Sequence, residues 1–315
     1  MGIARKRELR VADVVIKENI MTEKTVTADA AEEVDALTPV AEQAVAKKPT
    51  SMKDFFVDMQ FDDIDDSLEA LLKAGTHFGH QKSRRHPQMM PYIFGVRGTV
   101  TIIDLIKTQK GIREAQDFLI SVRKSGKKIL FVTTKKQMVD LIRSAAQRVD
   151  EPYVVERWIG GTFTNFSQIR SRVRALLKME DDMERGSFRK YTKFEQLKKR
   201  EEIEKLNRKM GGLKKMDTLP GAIVVVDVNV DALAVREARK QGIPVVAITD
   251  TNVDPRYVDY AIPANDDAIS SVKLILTLLM KSIDGVAPIA PKVQEKKRSP
   301  RARREQKTRA ARKRA

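Results

Sequence analysis

The chain has 315 residues, 42% of them hydrophobic, enough for one large folded domain or two modest ones. Its 60 Lys and Arg outweigh 43 Asp and Glu, giving a formal charge of +17 and a pI near 9.9, so the expected partner is a polyanion, nucleic acid first. The absence of Cys excludes disulfides, zinc-thiolate sites and thiol catalysis.

At the N-terminus Arg5, Lys6, Arg7 and Arg10 are interrupted by Glu8, Asp13 and Glu18, and no continuous apolar core follows them, so no secretory signal is expected. The Ala, Val, Glu and Thr mixture that follows predicts a mostly disordered arm over 1–60. Next comes LLKAGTHFGHQKSRRHPQMMPYIFGVRG, which concentrates His77, His80, His86, five basic residues and the aromatics Phe78, Tyr92 and Phe94. Guanidinium and ammonium groups there suit phosphates, neutral imidazoles suit ribose or phosphate, and rings suit exposed bases. The His spacing matches no common zinc cage and no nucleophile motif accompanies it, so neither a metal nor a catalytic residue is expected.

Short apolar runs at 100–103, 129–132, 153–155, 223–226 and 245–248 predict buried parallel strands. Helical patterns over 111–122, 136–149 and 231–241 alternate with them, the last ending at Gly242 and Pro244. Such alternation predicts a layered α/β sheet with right-handed crossovers over 61–164 and 216–285. In ERWIGGTFTNF, Gly160 and Gly161 could cradle a phosphate ahead of a helix. A tight turn with Trp158 in the core and Asn165 as helix cap is at least as well supported, since no dinucleotide or phosphate-loop fingerprint occurs.

Between the third and fourth strands the pattern changes to long charged helices over 165–185 and 193–210, a coiled-coil hairpin inserted at 165–215. Phe166, Ile169, Val173, Leu176 and Met183 form a three-four seam interrupted by Glu180, continued by Ile203, Leu206 and Met210. Phe194 and Leu197 fall off that stripe, so tight pairing is expected over part of the length only. Asp104, Asp227 and Asp250 follow predicted strands, where open sheets place ligands, but helix capping is the favoured reading. The stretch DVNVD lacks the glycine and distal Glu of a calcium loop. Residues 274–283 predict a packed helix, too short for a membrane span.

The last segment, 286–315, is strongly basic and expected to be disordered alone, gripping phosphates through Arg301, Arg303, Arg304, Arg309 and Arg312. By segment, 51–164 and 216–291 carry +4 and −4, whereas 165–215 and 292–315 carry +8 and +10. The excess charge is therefore localised in a hairpin and a tail beside a neutral platform.

The blocks LLKAGTHFGHQ, PYIFGVRG, ILFVTTKK, ERWIGGTFTN, LPGAIVVVDVN, GIPVVAITDTNVDP and IPANDDAI, in this order, resemble the bacterial type of the second protein of the small ribosomal subunit over about 66–283. The resemblance implies a flavodoxin-like, doubly wound parallel sheet with an inserted helical coiled-coil hairpin, bound to small-subunit RNA. It implies further a role in seating the first ribosomal protein, which captures messenger RNA. It places RNA contacts at Gly79, His80, Lys82, Arg97, Lys135, Arg157 and Asn165; the candidate set also takes in Arg84, Arg85, Lys136 and the five tail arginines. The long N-terminal arm and the basic tail depart from the familiar pattern.

The expected protein is thus a non-enzymatic ribosomal component in the cytoplasm, with no cofactor, metal, membrane or small-molecule substrate. Two other classes compete: a phosphosugar- or nucleotide-using α/β enzyme with a localising tail, and a free RNA chaperone. Saturable nucleotide binding near Asp227 and Asp250 would mark the enzyme.

Overall fold

A computed structural model describes residues 65–284 and Val286; the arm expected over 1–60 and the tail with its five arginines lie outside the described residues. In chain order the regular elements are α1 (Leu68–Lys73), β1 (Phe78–Gln81), β2 (Ile93–Arg97), β3 (Val100–Ile103), α2 (Leu105–Lys124), β4 (Ile129–Val132), α3 (Val139–Arg148) and β5 (Tyr153–Val154). There follow α4 (Phe166–Glu184), α5 (Lys193–Met210), β6 (Ala222–Val225), α6 (Ala232–Lys240), β7 (Val245–Thr249), β8 (Tyr260–Pro263) and α7 (Ile269–Asp284).

The main sheet is wholly parallel with order β5-β4-β6-β7-β8. This is the doubly wound, flavodoxin-like order, in which the topological switch falls between β4 and β6. Side chains alternate across it with the two-residue period of a strand. Ile129, Phe131, Ala222 and Val224 pack with α2, α3 and α7 in one core layer. Leu130, Val132, Ile223 and Val225 pack on the other face with α6, Trp158, Phe163 and the base of the hairpin. Because both faces are covered, β4 and β6 are apolar at every position, which is why they stand out in the sequence.

The strand over 100–103, expected in the parallel sheet, belongs instead to a separate antiparallel sheet of order β1-β3-β2. Gly98 and Thr99 connect β2 to β3, and Gly98 sits at φ +63°, a left-handed turn conformation that returns the chain antiparallel to itself. Strands β1, β2 and β8 and helix α1 escaped the sequence reading, since each is short and only partly buried. Helix α2 begins six residues before its predicted start, because Asp104 caps it by accepting from the Ile106 backbone N–H at 3.0 Å.

The hairpin expected over 165–215 is formed by α4 and α5. Ile169, Val173, Leu176, Ile203 and Met210 are buried along its seam, while Phe194 and Leu197 are 63% and 54% exposed. Glu180, the expected interruption, accepts hydrogen bonds from Asn207 Nδ2 and, at 2.7 Å, Lys214 Nζ, so the seam ends in a polar bridge. Thr192 and Glu195 form a reciprocal cap at the start of α5. At Gly212 a Cβ would collide with the Tyr153 carbonyl oxygen, so the return of the hairpin past β5 requires glycine.

Candidate nucleic-acid interface

Residues 70–103 contain no Asp or Glu. Register places Gln81 and Arg97 on opposite sides of Val100, so Lys82 and Arg97 emerge at one end of the small sheet, roughly 10 Å apart at two strand spacings. Lys82, Arg84 and Arg97 are exposed and Arg85 half-buried. None of the four forms a salt bridge among the described residues. The Lys82 backbone N–H bonds to the Thr99 carbonyl at 3.0 Å, tying the basic loop to the Gly98 turn. Cations held without counter-charge are what a phosphate backbone neutralises most readily.

A second group lies at the carboxyl edge of the parallel sheet. Strands β4 and β5 pair in parallel, so the segments leaving them bring Lys136 and Arg157 to the same edge, both exposed. Asn165 is exposed at the N-terminus of α4 with no side-chain capping bond, and its carbonyl accepts from Gln168 and Ile169. The glycine pair ahead of it does bind an anion, but the anion is internal. Glu237 Oε1 accepts from the Gly161 backbone N–H at 2.7 Å and from Trp158 Nε1 at 3.3 Å. Glu237 Oε2 accepts from the Phe163 and Thr164 N–H groups at 3.0 and 3.4 Å. The turn reading with a core Trp158 therefore prevails over a phosphate cradle.

Gly79, His80 and Lys135, grouped in the sequence with the exposed cations, turn inward. A Cβ at Gly79 would sit 2.5 Å from Thr251 Cγ2, so glycine allows β1 to lie against the loop after β7. The His80 N–H donates to Thr251 Oγ1 at 2.9 Å, and its Nδ1 lies 3.0 Å from Asp250 Oδ2. Lys135 Nζ stands 3.1 Å from Asp266 Oδ1, 2.5 Å from Asp267 Oδ1 and 3.6 Å from Asp227 Oδ2. Its charge is already balanced within the protein.

These contacts fill the switch point with a carboxylate cluster, of which the sequence pointed to Asp227 and Asp250 at strand ends but not to Asp231, Asp266 or Asp267. Asp231 accepts from the Thr134 N–H and hydroxyl at 3.0 and 2.9 Å. Burial pushes the Asp231 carboxyl up to about 6, and burial together with Asp227 and Asp250 pushes Asp266 up to about 7. The hydrogen bond from Lys135 holds Asp267 below its usual range, and the bond to Asp250 raises His80. Asp104 caps a helix as expected, whereas Asp250 serves His80 and Asp227 accepts from the Asn229 and Val230 N–H groups of a turn. The signal for the cluster was the Asp pair at 266–267, legible only as part of a motif.

The three histidines diverge. His77 borders an apolar groove, His80 joins the carboxylates, and His86 caps a short helical turn by accepting from the Gln88 N–H. Among the described residues no cluster of His and acidic groups is arranged to hold a metal ion.

The family model of ribosomal protein S2 matches residues 71–285. The small ribosomal subunit protein uS2 of Roseiflexus castenholzii is 53% identical over 209 residues, 66% of this chain and 80% of the relative. That of Chloroflexus aggregans is 48% identical over 209 residues, covering 66% and 88%. That of Amoebophilus asiaticus is 47% identical over 214 residues, covering 68% of each.

Proposed function

Because the chain belongs to the ribosomal protein S2 family, we propose that Lys82, Arg84, Arg85, Arg97, Lys136, Arg157 and Asn165 form its contact with small-subunit RNA. It is a structural component of the small ribosomal subunit and carries out no reaction. The observation that carries the proposed contact is the run of cations over 82–97 with no acidic residue beside it. These cations neutralise phosphates, while the α/β body fixes their spacing. Gly79, His80 and Lys135 act behind this surface, holding β1 and the switch-point loops in place.

The enzyme alternative has no support. A phosphorylated ligand at the switch point would meet Asp227, Asp250 and Asp267, and Lys135 there is already paired. The tail arginines Arg301, Arg303, Arg304, Arg309 and Arg312 extend the contact; their composition supports this, and they lie outside the described residues. Seating of the messenger-RNA-binding first ribosomal protein is supported by the seven motif blocks. The location proposed is the cytoplasm, on ribosomes; among the described residues no helix is long and apolar enough to cross a membrane.

Sucrose-gradient fractionation of a lysate tests the assignment. The chain is expected to migrate with the small subunit at low salt and to be released progressively by salt washing. Migration with free protein at low salt would refute it, and migration on free RNA outside subunits would favour the chaperone.

A further inference from the structure

Beside the RNA-facing surface lies a groove of about 550 Å³, lined by Leu68, Leu72, His77, Phe94, Ile102 and Ile106. Its apolar walls face outward: Phe94 is 80% exposed, Ile106 68% and Leu72 57%. An apolar groove of this size on a charged protein calls for an occupant. We propose that this chain's own segment 52–61, MKDFFVDMQF, fills it.

Three observations select that occupant. The described chain begins at Asp65, three residues before Leu68, which lines the groove. Asp66 is fastened to α2: its carboxylate accepts from Arg113 Nε at 2.9 Å and its carbonyl from Gln109 Nε2 at 2.8 Å. Gln109 and Arg113 lie on the same face of α2 as Ile106, at three- and seven-residue offsets. From this anchor Phe61 is five residues away, a reach of at most about 17 Å, whereas Ile106 is about two helical turns, roughly 10 Å, from Arg113.

The composition fits as well. Residues 1–54 contain no aromatic side chain, yet Phe55, Phe56 and Phe61 fall within seven residues. Met52, Phe55, Phe56 and Met59 have the i, i+3, i+4, i+7 spacing that gathers them on one helical face, with Lys53, Asp54 and Asp58 off that stripe. A segment so apolar on one side and acidic on the other suits an outward-facing apolar trough, not a phosphate backbone. The groove is thereby a self-covered surface, which a protein neighbour could enter only by displacing this segment.

The natural absence of Cys gives a clean test. Ile106→Cys places a thiol in the groove of the full chain, and Asp117→Cys, about three turns along the same helix, serves as the exposed control. Labelling by a thiol reagent is expected to be about tenfold slower or more at Ile106→Cys than at the control. Adding Phe55→Ser, Phe56→Ser and Met59→Ser should raise it to the control rate, whereas Phe55→Leu with Phe56→Leu should keep it slow. Unchanged far-ultraviolet circular dichroism and unchanged emission from the buried Trp158 show that the body remains folded. Fast labelling before the Ser changes overturns the proposal. Slow labelling that survives them overturns it too, and dependence on protein concentration would then identify a second copy as the occupant.

Discussion

Glu237 joins parts of the chain that sequence keeps far apart: its two oxygens hold Trp158 Nε1 and the N–H groups of Gly161, Phe163 and Thr164. Removing a buried acceptor strands its donors, so Glu237→Ala is expected to cost about 3 kcal/mol or more in urea unfolding. Emission from Trp158, the single tryptophan, should shift with it. A loss below about 1 kcal/mol would contradict this account of the turn. The sequence suggested either a phosphate cradle or a tight turn at Gly160 and Gly161 and could not reveal Glu237, because a local window has no access to a partner 76 residues away. Asp266 offers a pH test. Its carboxyl titrates near 7 when folded, against an ordinary carboxylate value when unfolded, so the folded state binds the extra proton between those values. Its contribution therefore favours the fold at low pH and is lost as pH rises towards 7; Asp231, raised to about 6, acts in the same direction. Asp266→Asn should flatten the decline in stability between about pH 4 and 7 relative to wild type. An identical pH profile in both proteins would show that Asp266 is not held protonated.

Among the elements, the hairpin separates buried from ornamental apolar residues. Leu176 and Ile203 lie in the seam, so Leu176→Ala or Ile203→Ala should destabilise the hairpin by about 2–4 kcal/mol. Phe194→Ser and Leu197→Ser should change stability by less than about 1 kcal/mol, since both side chains already face solvent. Hydrogen exchange along α4 and α5 distinguishes the two classes, and equal effects would mean that the helices pair along their full length. The partial seam was legible, because Phe194 and Leu197 fall out of phase with it in the sequence. The buried parallel strands were legible for a related reason: β4 and β6 are apolar at every position, which only a strand covered on both faces requires. Strands β1 and β2 gave no such signal, being only partly buried, and β3 was assigned to the wrong sheet because so short a run, three apolar residues and Thr101, does not reveal the direction of its neighbour. Asp231, Asp266 and Asp267 were hidden for the same reason as Glu237, although Asp227 and Asp250 could be placed at strand ends. Lys135 meets Asp266 and Asp267 only after four strands have been ordered side by side.

At the scale of the whole molecule, charge divides into two kinds. Inside, Lys135 and His80 are paired with carboxylates at the carboxyl edge of the sheet, so this edge offers a phosphorylated ligand acidic groups and an already paired lysine. Outside, Lys82, Arg84, Arg85 and Arg97 have no counter-charge among the described residues, and on the proposed reading they are the groups that meet the polyanion. Composition pointed to a polyanion and the resemblance to small-subunit RNA, but only the fold separates free cations from paired ones. The most direct test is filter binding of the full chain to small-subunit RNA across a salt series, comparing wild type with Lys82→Gln/Arg84→Gln/Arg85→Gln/Arg97→Gln. Up to four lost phosphate contacts should reduce the slope of log K against log salt by about 3 units or somewhat more and weaken binding at every salt concentration. An unchanged slope and affinity would place the RNA on another surface and contradict the account.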